Sequence, residues 1–402
     1  MILTSTEGQT GLPRYFAQVF EMSKKLNNGR ADFVMPDGRR FRVEGQNPGP
    51  VAELHIHSDD VFARLIREGD LGFCEAYVDG DWSCPDLQAF QDLIHTGNEA
   101  VYDGFPGQRL VTLYEKFRFW LQSNHKTQAR KNISYHYDLG NDFYSLWLDD
   151  TMTYSSALFE TGQESLEAAQ RAKYASMVDQ IGAQPGDHVL EIGCGWGGFA
   201  EYAAKERGLR VTGLTISQEQ FNFAKERVEK AGISDQVTLK LQDYRDERGQ
   251  YDGIASIEMF EAVGEKYWPV YFNTVRDCLK PGKCGTFQII TVQDARWEVY
   301  KRGVDFIQKY IFPGGMLPCP RLLREHVAGA GLEVARHFEF GQSYSQTLRR
   351  WHESFNDRWD EIAALGFDAR FHRMWDFYLT SCAAAFASGT TDVTQITLRR
   401  PA

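Results

Sequence analysis

The pattern of apolar and polar positions predicts short strands and a helix in the first hundred residues. Strand-like runs occur at residues 32–35, 41–44 and 54–57. Ser58 is placed to cap a helix that runs through Arg67, with apolar side chains on one face. We therefore expect a small α+β domain, which ends where the pattern breaks at residues 103–107.

Helical and strand patterns alternate along the chain from about residue 170. A helix is predicted over 163–182, and further helices are expected between the strands that follow it. Five apolar runs predict strands at residues 188–192, 210–214, 237–241, 251–257 and 285–292. This alternation is typical of a parallel sheet with crossover helices, and so predicts an α/β fold of the Rossmann-like type.

The segment between these two regions is basic. Residues 109–131 hold six Lys and Arg residues but one acid, and apolar residues recur among them at helical spacing. The segment is either a helix that connects two domains or a face that contacts anionic lipid headgroups. We therefore divide the chain into an N-terminal domain (1–106), a basic amphipathic connecting helix (107–132) and a third region (133–402).

Composition narrows the classes of function. The 402 residues carry a net charge of -11, which argues against a nucleic-acid partner because no broad positive field attracts phosphate. The local positive charge of residues 109–131 still allows contact with a membrane surface. The seven cysteines are irregularly spaced and include no Cys-x-x-Cys, which predicts free thiols in the cytoplasm and no metal site. We find no signal-peptide pattern and no run of the ~20 apolar residues that cross a bilayer.

A glycine-rich turn is the strongest chemical signal. The apolar strand 188–192 contains Glu191 and leads into Gly193-x-Gly195-x-Gly197, after which a helical pattern begins. Glycine permits a sharp turn and the close approach of a ligand, and such sheets bind cofactors at this edge. The spacing differs from the dinucleotide fingerprint. It resembles the first motif of S-adenosylmethionine-dependent methyltransferases, which implies that Glu191 and the three glycines hold the methionine part of that cofactor.

Longer strings make the resemblance more specific. The chain resembles the cyclopropane fatty acid synthases, which are related to the mycolic acid cyclopropane synthases, most densely from residue 133 to 390. The strings that carry it include His136-Tyr137-Asp138-Leu139-Gly140-Asn141, Met259-Phe260-Glu261-Ala262-Val263-Gly264 and Lys309-Tyr310-Ile311-Phe312-Pro313-Gly314-Gly315.

The resemblance implies transfer of a methyl carbon from S-adenosylmethionine to the cis double bond of an unsaturated phospholipid acyl chain, giving a cyclopropane fatty acid. The carbocation formed on the way requires a dry site with aromatic faces. A cytoplasmic enzyme that attaches peripherally to the inner face of the membrane is implied, and a homodimer is one assembly that it allows. By the family pattern, further cofactor contacts come from Tyr137, Tyr154, Ser155, Thr215, Gln220, Gln242 and Asp243.

Ring closure requires a base, which in the cyclopropane synthases is a bound bicarbonate. The resemblance assigns three residues to that catalytic site: Glu261, Tyr344 and Cys382. Two of the family's ligands differ, because Ser156 replaces a cysteine and Ile290 replaces a histidine. Both changes weaken the case for bicarbonate and favour an alternative, C-methylation without ring closure, which gives a methyl-branched or methylene fatty acid. Gln288 and His352 are candidates to compensate for the lost ligands.

Two other classes of function are also considered. One is a lipid-binding protein that retains a degenerate methyltransferase fold, and the intact glycine turn argues against it. The other is a methyltransferase for small molecules such as amines. The string at residues 309–315 and the additional N-terminal domain argue against that class.

Overall fold

Two β-sheets organise the protein, which we describe from a computed structural model at residues 2–96, at Gln128 and at residues 139–402. Apart from Gln128, the predicted basic helix at 107–132 lies outside these described residues, as does the predicted cofactor residue Tyr137. None of the helices in the described ranges has both the length and the apolar character needed to cross a bilayer.

The first sheet has five strands in the order β1-β3-β2-β4-β5. These strands are β1 (Ile2–Leu3), β2 (Asn28–Val34), β3 (Arg40–Glu44), β4 (Asn47–Ile56) and β5 (Trp82–Ser83). The helices around them are α1 (Phe16–Ser23), α2 (Val61–Glu68), α3 (Asp70–Asp79) and α4 (Leu87–His95). The predicted Ser58 cap is wrong. The Ser58 Oγ accepts a hydrogen bond from the backbone N–H of Asp60 at 3.3 Å, and α2 begins at Val61.

The second sheet has seven strands in the order β11-β12-β10-β9-β6-β7-β8. These strands are β6 (His188–Ile192), β7 (Arg210–Thr215), β8 (Val237–Leu241), β9 (Tyr251–Ile257), β10 (Leu279–Val292), β11 (Glu333–Glu339) and β12 (Thr391–Arg399). Strands β6 to β10 are parallel, whereas β12 runs antiparallel to β10 and to β11. The predicted parallel sheet is therefore confirmed. Its strand order reverses between β6 and β9, where such sheets open a ligand crevice.

Helices connect these strands and cover the sheet. They are α5 (Asn141–Trp147), α6 (Leu166–Ile181), α7 (Gly198–Arg207), α8 (Gln218–Lys230), α9 (Trp268–Cys278), α10 (Trp297–Tyr300), α11 (Pro320–Gly329), α12 (Gly341–Asp357), α13 (Trp359–Ala364) and α14 (Ala369–Ala387), with a π-helical turn at Ile307–Ile311. Ser217 caps α8 as predicted, because its Oγ accepts a hydrogen bond from the Gln220 N–H at 3.3 Å.

Polar contacts join the five-stranded sheet region to the rest of the molecule. The Tyr77 hydroxyl on α3 donates to Asp376 on α14 at 2.6 Å. Nearby, the Lys309 ammonium donates to Glu75 at 2.8 Å. One apolar cluster includes buried residues from both regions. The helices α3 and α4 are thereby held beside the crevice of the larger sheet.

Candidate active site

A cavity of about 1290 Å³ lies at the carboxyl ends of the parallel strands. It extends from the turn after β6 to Cys74 on α3 and Ile94 on α4, so both regions of the chain line one chamber. Its lining contains many apolar and aromatic side chains. Of the residues predicted for the site, it includes Tyr154, Ser155, Glu191, Gly193, Gly195, Thr215, Gln220, Gln242, Asp243, Glu261, Tyr344 and Cys382.

The glycine turn between β6 and α7 is shaped by close contacts. The N–H groups of Gly193 and Cys194 both donate to the carbonyl oxygen of Leu214, at 3.0 and 2.8 Å. Gly193 has φ +84°, and a Cβ on it would lie 2.7 Å from the Met259 side chain. At Gly195, with φ +51°, a Cβ would have no described atom within 4 Å. Position 193 therefore requires glycine for packing, whereas Gly195 leaves open space for a ligand.

Gly197 has a different environment from the other two glycines of the motif. Its φ is +84°, and a Cβ there would lie 3.1 Å from the Cβ of Ala224 on α8. The structure therefore places Gly197 at the contact between the turn and this helix, where it allows close packing. A direct cofactor contact at Gly197 stays a prediction.

Glu191 is buried at the end of β6, beside the glycine turn. Its Oε2 has no hydrogen-bond partner among the described residues. Burial raises the pKa of the carboxyl group to about 8, although the charges of Lys173 and Arg227 oppose that shift. A buried carboxyl oxygen without a partner fits a ligand that carries a cationic amino group, as the methionine part of S-adenosylmethionine does.

Two pairs of polar residues follow the ends of β7 and β8. The Thr215 hydroxyl donates to Gln220 Oε1 at 3.0 Å, so these two predicted residues are oriented by each other. The Gln242 amide donates to Glu247 at 3.1 Å. The Asp243 carboxylate accepts two hydrogen bonds from the guanidinium group of Arg245, at 2.8 and 2.7 Å. The backbone therefore brings these four predicted residues to the cavity with their side chains already positioned.

Glu258 is a partly buried carboxylate that the sequence did not predict for the site. It follows β9 with φ +49°, a left-handed conformation that costs a non-glycine residue about 1–3 kcal/mol. Its Oε1 accepts hydrogen bonds from the Ser156 backbone N–H at 2.8 Å and from Gln288 Nε2 at 2.7 Å. Its Oε2 accepts from the Tyr344 hydroxyl at 2.6 Å. The predicted residue Tyr344 therefore binds Glu258.

Glu261 lies three residues further on and also lines the cavity. Its Oε1 accepts from the backbone N–H of Ile290, and its Oε2 has no partner among the described residues. Burial, followed by the charge of Glu258, raises the pKa of Glu261 to about 8. The Glu258 carboxyl group accepts three hydrogen bonds from the described residues and that of Glu261 accepts one. Negative charge is therefore better stabilised on Glu258.

The three remaining candidate residues, Gln288, His352 and Cys382, have different surroundings. Gln288 donates to Glu258, and its compensating role stays a prediction. The His352 Nε2 instead contacts Asp376, which also accepts from Tyr77 at the contact between the two sheet regions. The predicted catalytic residue Cys382 lines the cavity, where burial raises the pKa of its thiol to about 12 and keeps it neutral.

Lys173 on α6 is a second residue that the sequence analysis did not select. Its ammonium donates to the hydroxyl of the predicted cofactor residue Ser155 at 2.7 Å. Burial lowers the pKa of Lys173 to about 7, while the charges of Glu258, Asp149 and Glu191 oppose that shift. The lysine therefore interacts electrostatically with both the Glu191 and the Glu258 ends of the site. A lysine in a helical pattern is usually solvated, so its sequence context gave no signal.

Tyr154 connects the site to an aromatic wall. Its hydroxyl lies 2.7 Å from the Tyr378 hydroxyl. Its ring lies 5.3 Å from the ring of Trp351 and 5.5 Å from that of Tyr144, between centroids. Such a wall excludes water and presents ring faces that attract cations.

The sheet order, the glycine turn and the buried Glu191 define a class I S-adenosylmethionine-dependent methyltransferase. Residues 124–396 match the family model of mycolic acid cyclopropane synthetase. The chain belongs to this family, whose members act on lipids. The resemblance found from the sequence is thereby confirmed.

Several relatives support the same assignment. The chain is 41% identical over 358 residues to tuberculostearic acid methyltransferase UfaA1 of Mycobacterium tuberculosis, covering 86% of this chain and 83% of that protein. It is 36% identical over 384 residues to cyclopropane-fatty-acyl-phospholipid synthase of Escherichia coli, covering 91% and 95%. The solved structure of mycolic acid cyclopropane synthase CmaA1 with SAH and CTAB matches with a TM-score of 0.64 and 31% identity, over 67% of this chain and 98% of that one.

Proposed function

We propose that this protein methylates the cis double bond of an unsaturated phospholipid acyl chain and converts that chain into a methylene-branched chain. The observation that carries the proposal is the single chamber that connects Glu191 and the glycine turn to the carboxyl groups of Glu258 and Glu261 and to the N-terminal helices. The end of the chamber at Glu191 and the glycine turn suits a methyl donor. A long apolar substrate fits the rest of the chamber.

S-adenosylmethionine supplies a methyl group on a positively charged sulfur when it is bound. Glu191 would bind its amino group through the carboxyl oxygen that has no described partner. The open space at Gly195 would admit its methionine part, and Thr215 with Gln220 would bind the ribose. Tyr154 and its aromatic neighbours would exclude water. Each ring face contributes about 0.5–2 kcal/mol of attraction to a cation on the acyl chain.

The product depends on how fast a proton leaves the cation. Ser156 and Ile290 replace two ligands of the base that the cyclopropane synthases use. Slower proton removal would give time for a hydride to move to the cationic carbon from its neighbour, which produces a more substituted cation. Loss of a proton from the transferred methyl group then gives a methylene (C=CH₂) branch on the open chain. The 41% identity to tuberculostearic acid methyltransferase favours this branch.

Cyclopropane formation is the second candidate. Glu261, Tyr344 and Cys382 all line the cavity, and the Escherichia coli relative that carries this activity in its name matches over 95% of its length. In this branch the same methyl group loses its proton before any hydride moves, and the C–H electron pair closes the ring.

The test is expression in a host that makes cis-unsaturated phospholipids, followed by extraction of the lipids. Both products add one CH₂ to the acyl chain and are isomers, so the fatty acid esters must be separated and identified by NMR. Signals of a C=CH₂ group are expected, and a product that contains only cyclopropane would overturn the methylene branch. A Glu191→Gln variant is the control. Unchanged lipids in both strains would reject the activity itself.

We further propose how the chain meets its substrate. Residues 1–106 would form a lipid-associated domain, and residues 107–132 would contact anionic headgroups at the inner face of the membrane. The cavity lining at Cys74 and Ile94 supports this arrangement, because it connects the reaction chamber to the N-terminal helices.

A further inference from the structure

We propose that the carboxylate of Glu258 is the proton acceptor of this reaction and takes the place of a diffusible bicarbonate. The inference rests on the proposed function and names the base within it.

The donors that would hold an external anion are already bound to Glu258. The Ser156 backbone N–H and the Tyr344 hydroxyl lie at positions that the resemblance assigns to bicarbonate, and here they donate to the two oxygens of Glu258 at 2.8 and 2.6 Å. A bicarbonate beside Glu258 and Glu261 would therefore lack these donors. It would also bring a further negative charge to a partly buried pair of carboxyl groups, which is unfavourable.

Gln288 supplies a third donor, and its orientation is fixed. The Gln395 amide donates to Gln288 Oε1 at 3.1 Å, which directs Gln288 Nε2 toward Glu258 at 2.7 Å. The same Nε2 lies 3.2 Å from the carbonyl oxygen of Ser156. A neutral amide held in this way stabilises an anion without supplying a proton that could neutralise it.

The backbone at Glu258 is held in an unusual conformation. Its φ of +49° is left-handed, and its N–H donates to the carbonyl oxygen of Gln288 at 2.8 Å. Such strain persists where the surroundings enforce it and concentrates at functional sites. Glycine would adopt this conformation without strain. The chain instead has a glutamate here, and its carboxylate lies on the cavity wall.

The reaction balances with Glu258 as the acceptor. The π electrons of the double bond form a new C–C bond to the transferred methyl carbon, and the electron pair of the broken S–C bond stays on sulfur. The acyl chain then carries the positive charge. Glu258 takes one proton from the methyl group, and that C–H pair becomes either the new C=C bond or the closing bond of the ring. The protonated carboxyl group later releases its proton to solvent.

The first experiment measures the bicarbonate requirement of the wild type. Turnover on unsaturated phospholipid vesicles is compared in buffer depleted of carbon dioxide and in the same buffer with added bicarbonate. Equal turnover is expected, and ¹³C-bicarbonate should show no protein-bound NMR signal. A requirement for added bicarbonate would overturn the inference. Absence of methylated lipid under both conditions would instead reject the proposed function.

The second experiment removes the carboxylate. Glu258→Gln is expected to lower turnover about 10²–10⁴-fold, as loss of a general base does, with S-adenosylhomocysteine binding unchanged in calorimetry. Glu258→Gly suits the left-handed backbone and exposes the Ser156 and Tyr344 donors, so formate or bicarbonate should restore part of its turnover. The matched control is Glu353→Gln, at an exposed position on α12. Glu258→Gln turnover equal to that of this control would overturn the inference.

Discussion

The Tyr344 hydroxyl donates a 2.6 Å hydrogen bond to the Glu258 carboxylate and thereby connects α12 to the carboxyl end of β9. Tyr344 is buried, and its ring lies 4.3 Å from that of Phe386 between centroids, so little freedom remains for the hydroxyl to turn elsewhere. The pair relates one residue that the sequence predicted to another that it did not.

Removal of this donor should slow the reaction and leave the cofactor site intact. A hydrogen bond to a charged group contributes about 1.5–3 kcal/mol, so Tyr344→Phe should lower turnover by roughly 10- to 100-fold. S-adenosylhomocysteine affinity should match the wild type in calorimetry. Tyr202→Phe on α7 removes a hydroxyl that binds Arg207 and serves as the control. Wild-type turnover in Tyr344→Phe would show that the pair is structural only.

Cofactor binding should release a proton from Glu191. Burial holds its pKa at about 8, with Lys173 and Arg227 as the charges that face it, so the carboxyl group is mostly protonated near neutral pH. A cationic amino group favours the ionised form, and binding should release up to about one proton. Calorimetry in buffers of different ionisation enthalpy measures this number. In Glu191→Gln the release should be lost and binding should weaken; an unchanged release would assign the proton to another group.

Glu261 should contribute to turnover at a cost to stability. Above about pH 8, where Glu261 is ionised, Glu261→Gln should cut turnover by about 10²-fold or more, because a negative charge near the cation is lost, and cofactor binding should be retained. The folded state holds the Glu261 proton up to about pH 8, whereas the ordinary value is 4.5. Wild-type stability therefore falls as pH rises between these values, and glutamine avoids that loss.

Urea unfolding at several pH values checks the stability part of this prediction. The free energy of unfolding of Glu261→Gln, relative to the wild type, should increase steadily from pH 5 to pH 8. A constant difference would show that Glu261 ionises normally in the folded protein. Unchanged turnover above about pH 8 would remove Glu261 from the mechanism.

The strands of the larger sheet could be predicted because their signal is local. The apolar runs at 188–192, 237–241 and 251–257 coincide with the observed strands, and the glycine turn follows the first of them. The Ser58 cap failed because helix ends are weakly specified, so the tertiary surroundings of a helix can move its first residue. The residues on the cofactor side of the site could be predicted for the same reason, because their motifs are short and contiguous in the sequence.

Glu258 and Lys173 could not be predicted in this way. The donors to Glu258 come from residues 156, 288 and 344, which only the fold brings together. A carboxylate at the end of a strand and a lysine in a helix usually face solvent, so burial in a shared cavity has no sequence signature. The position of His352 could not be predicted for the same reason, since its partner Asp376 lies on another helix.

The contact between Glu75 and the π-helical turn should stabilise the fold. The Glu75 carboxylate accepts from Lys309 at 2.8 Å and from the Tyr310 hydroxyl at 2.7 Å, and the ion pair is largely buried. Glu75→Gln should lower the free energy of unfolding by about 1–3 kcal/mol in urea titrations. The exposed Glu21–Lys24 pair is the control, and Glu21→Gln should change stability by less than about 1 kcal/mol. Equal effects would mean that the buried contact contributes no more than a surface pair.

The basic segment should control attachment to anionic membranes. Each Lys or Arg near such a surface contributes about 1 kcal/mol, so replacing Lys126, Arg130 and Lys131 by Gln should weaken binding to phosphatidylglycerol vesicles by roughly 100-fold. Because salt screens these charges over about 10 Å at 0.1 M, the salt dependence of binding should also become shallower. The same change at the exposed lysines Lys25, Lys225 and Lys230 alters net charge equally and should have little effect. If both triple variants bind vesicles alike, the segment is a connector, and net charge alone sets the affinity.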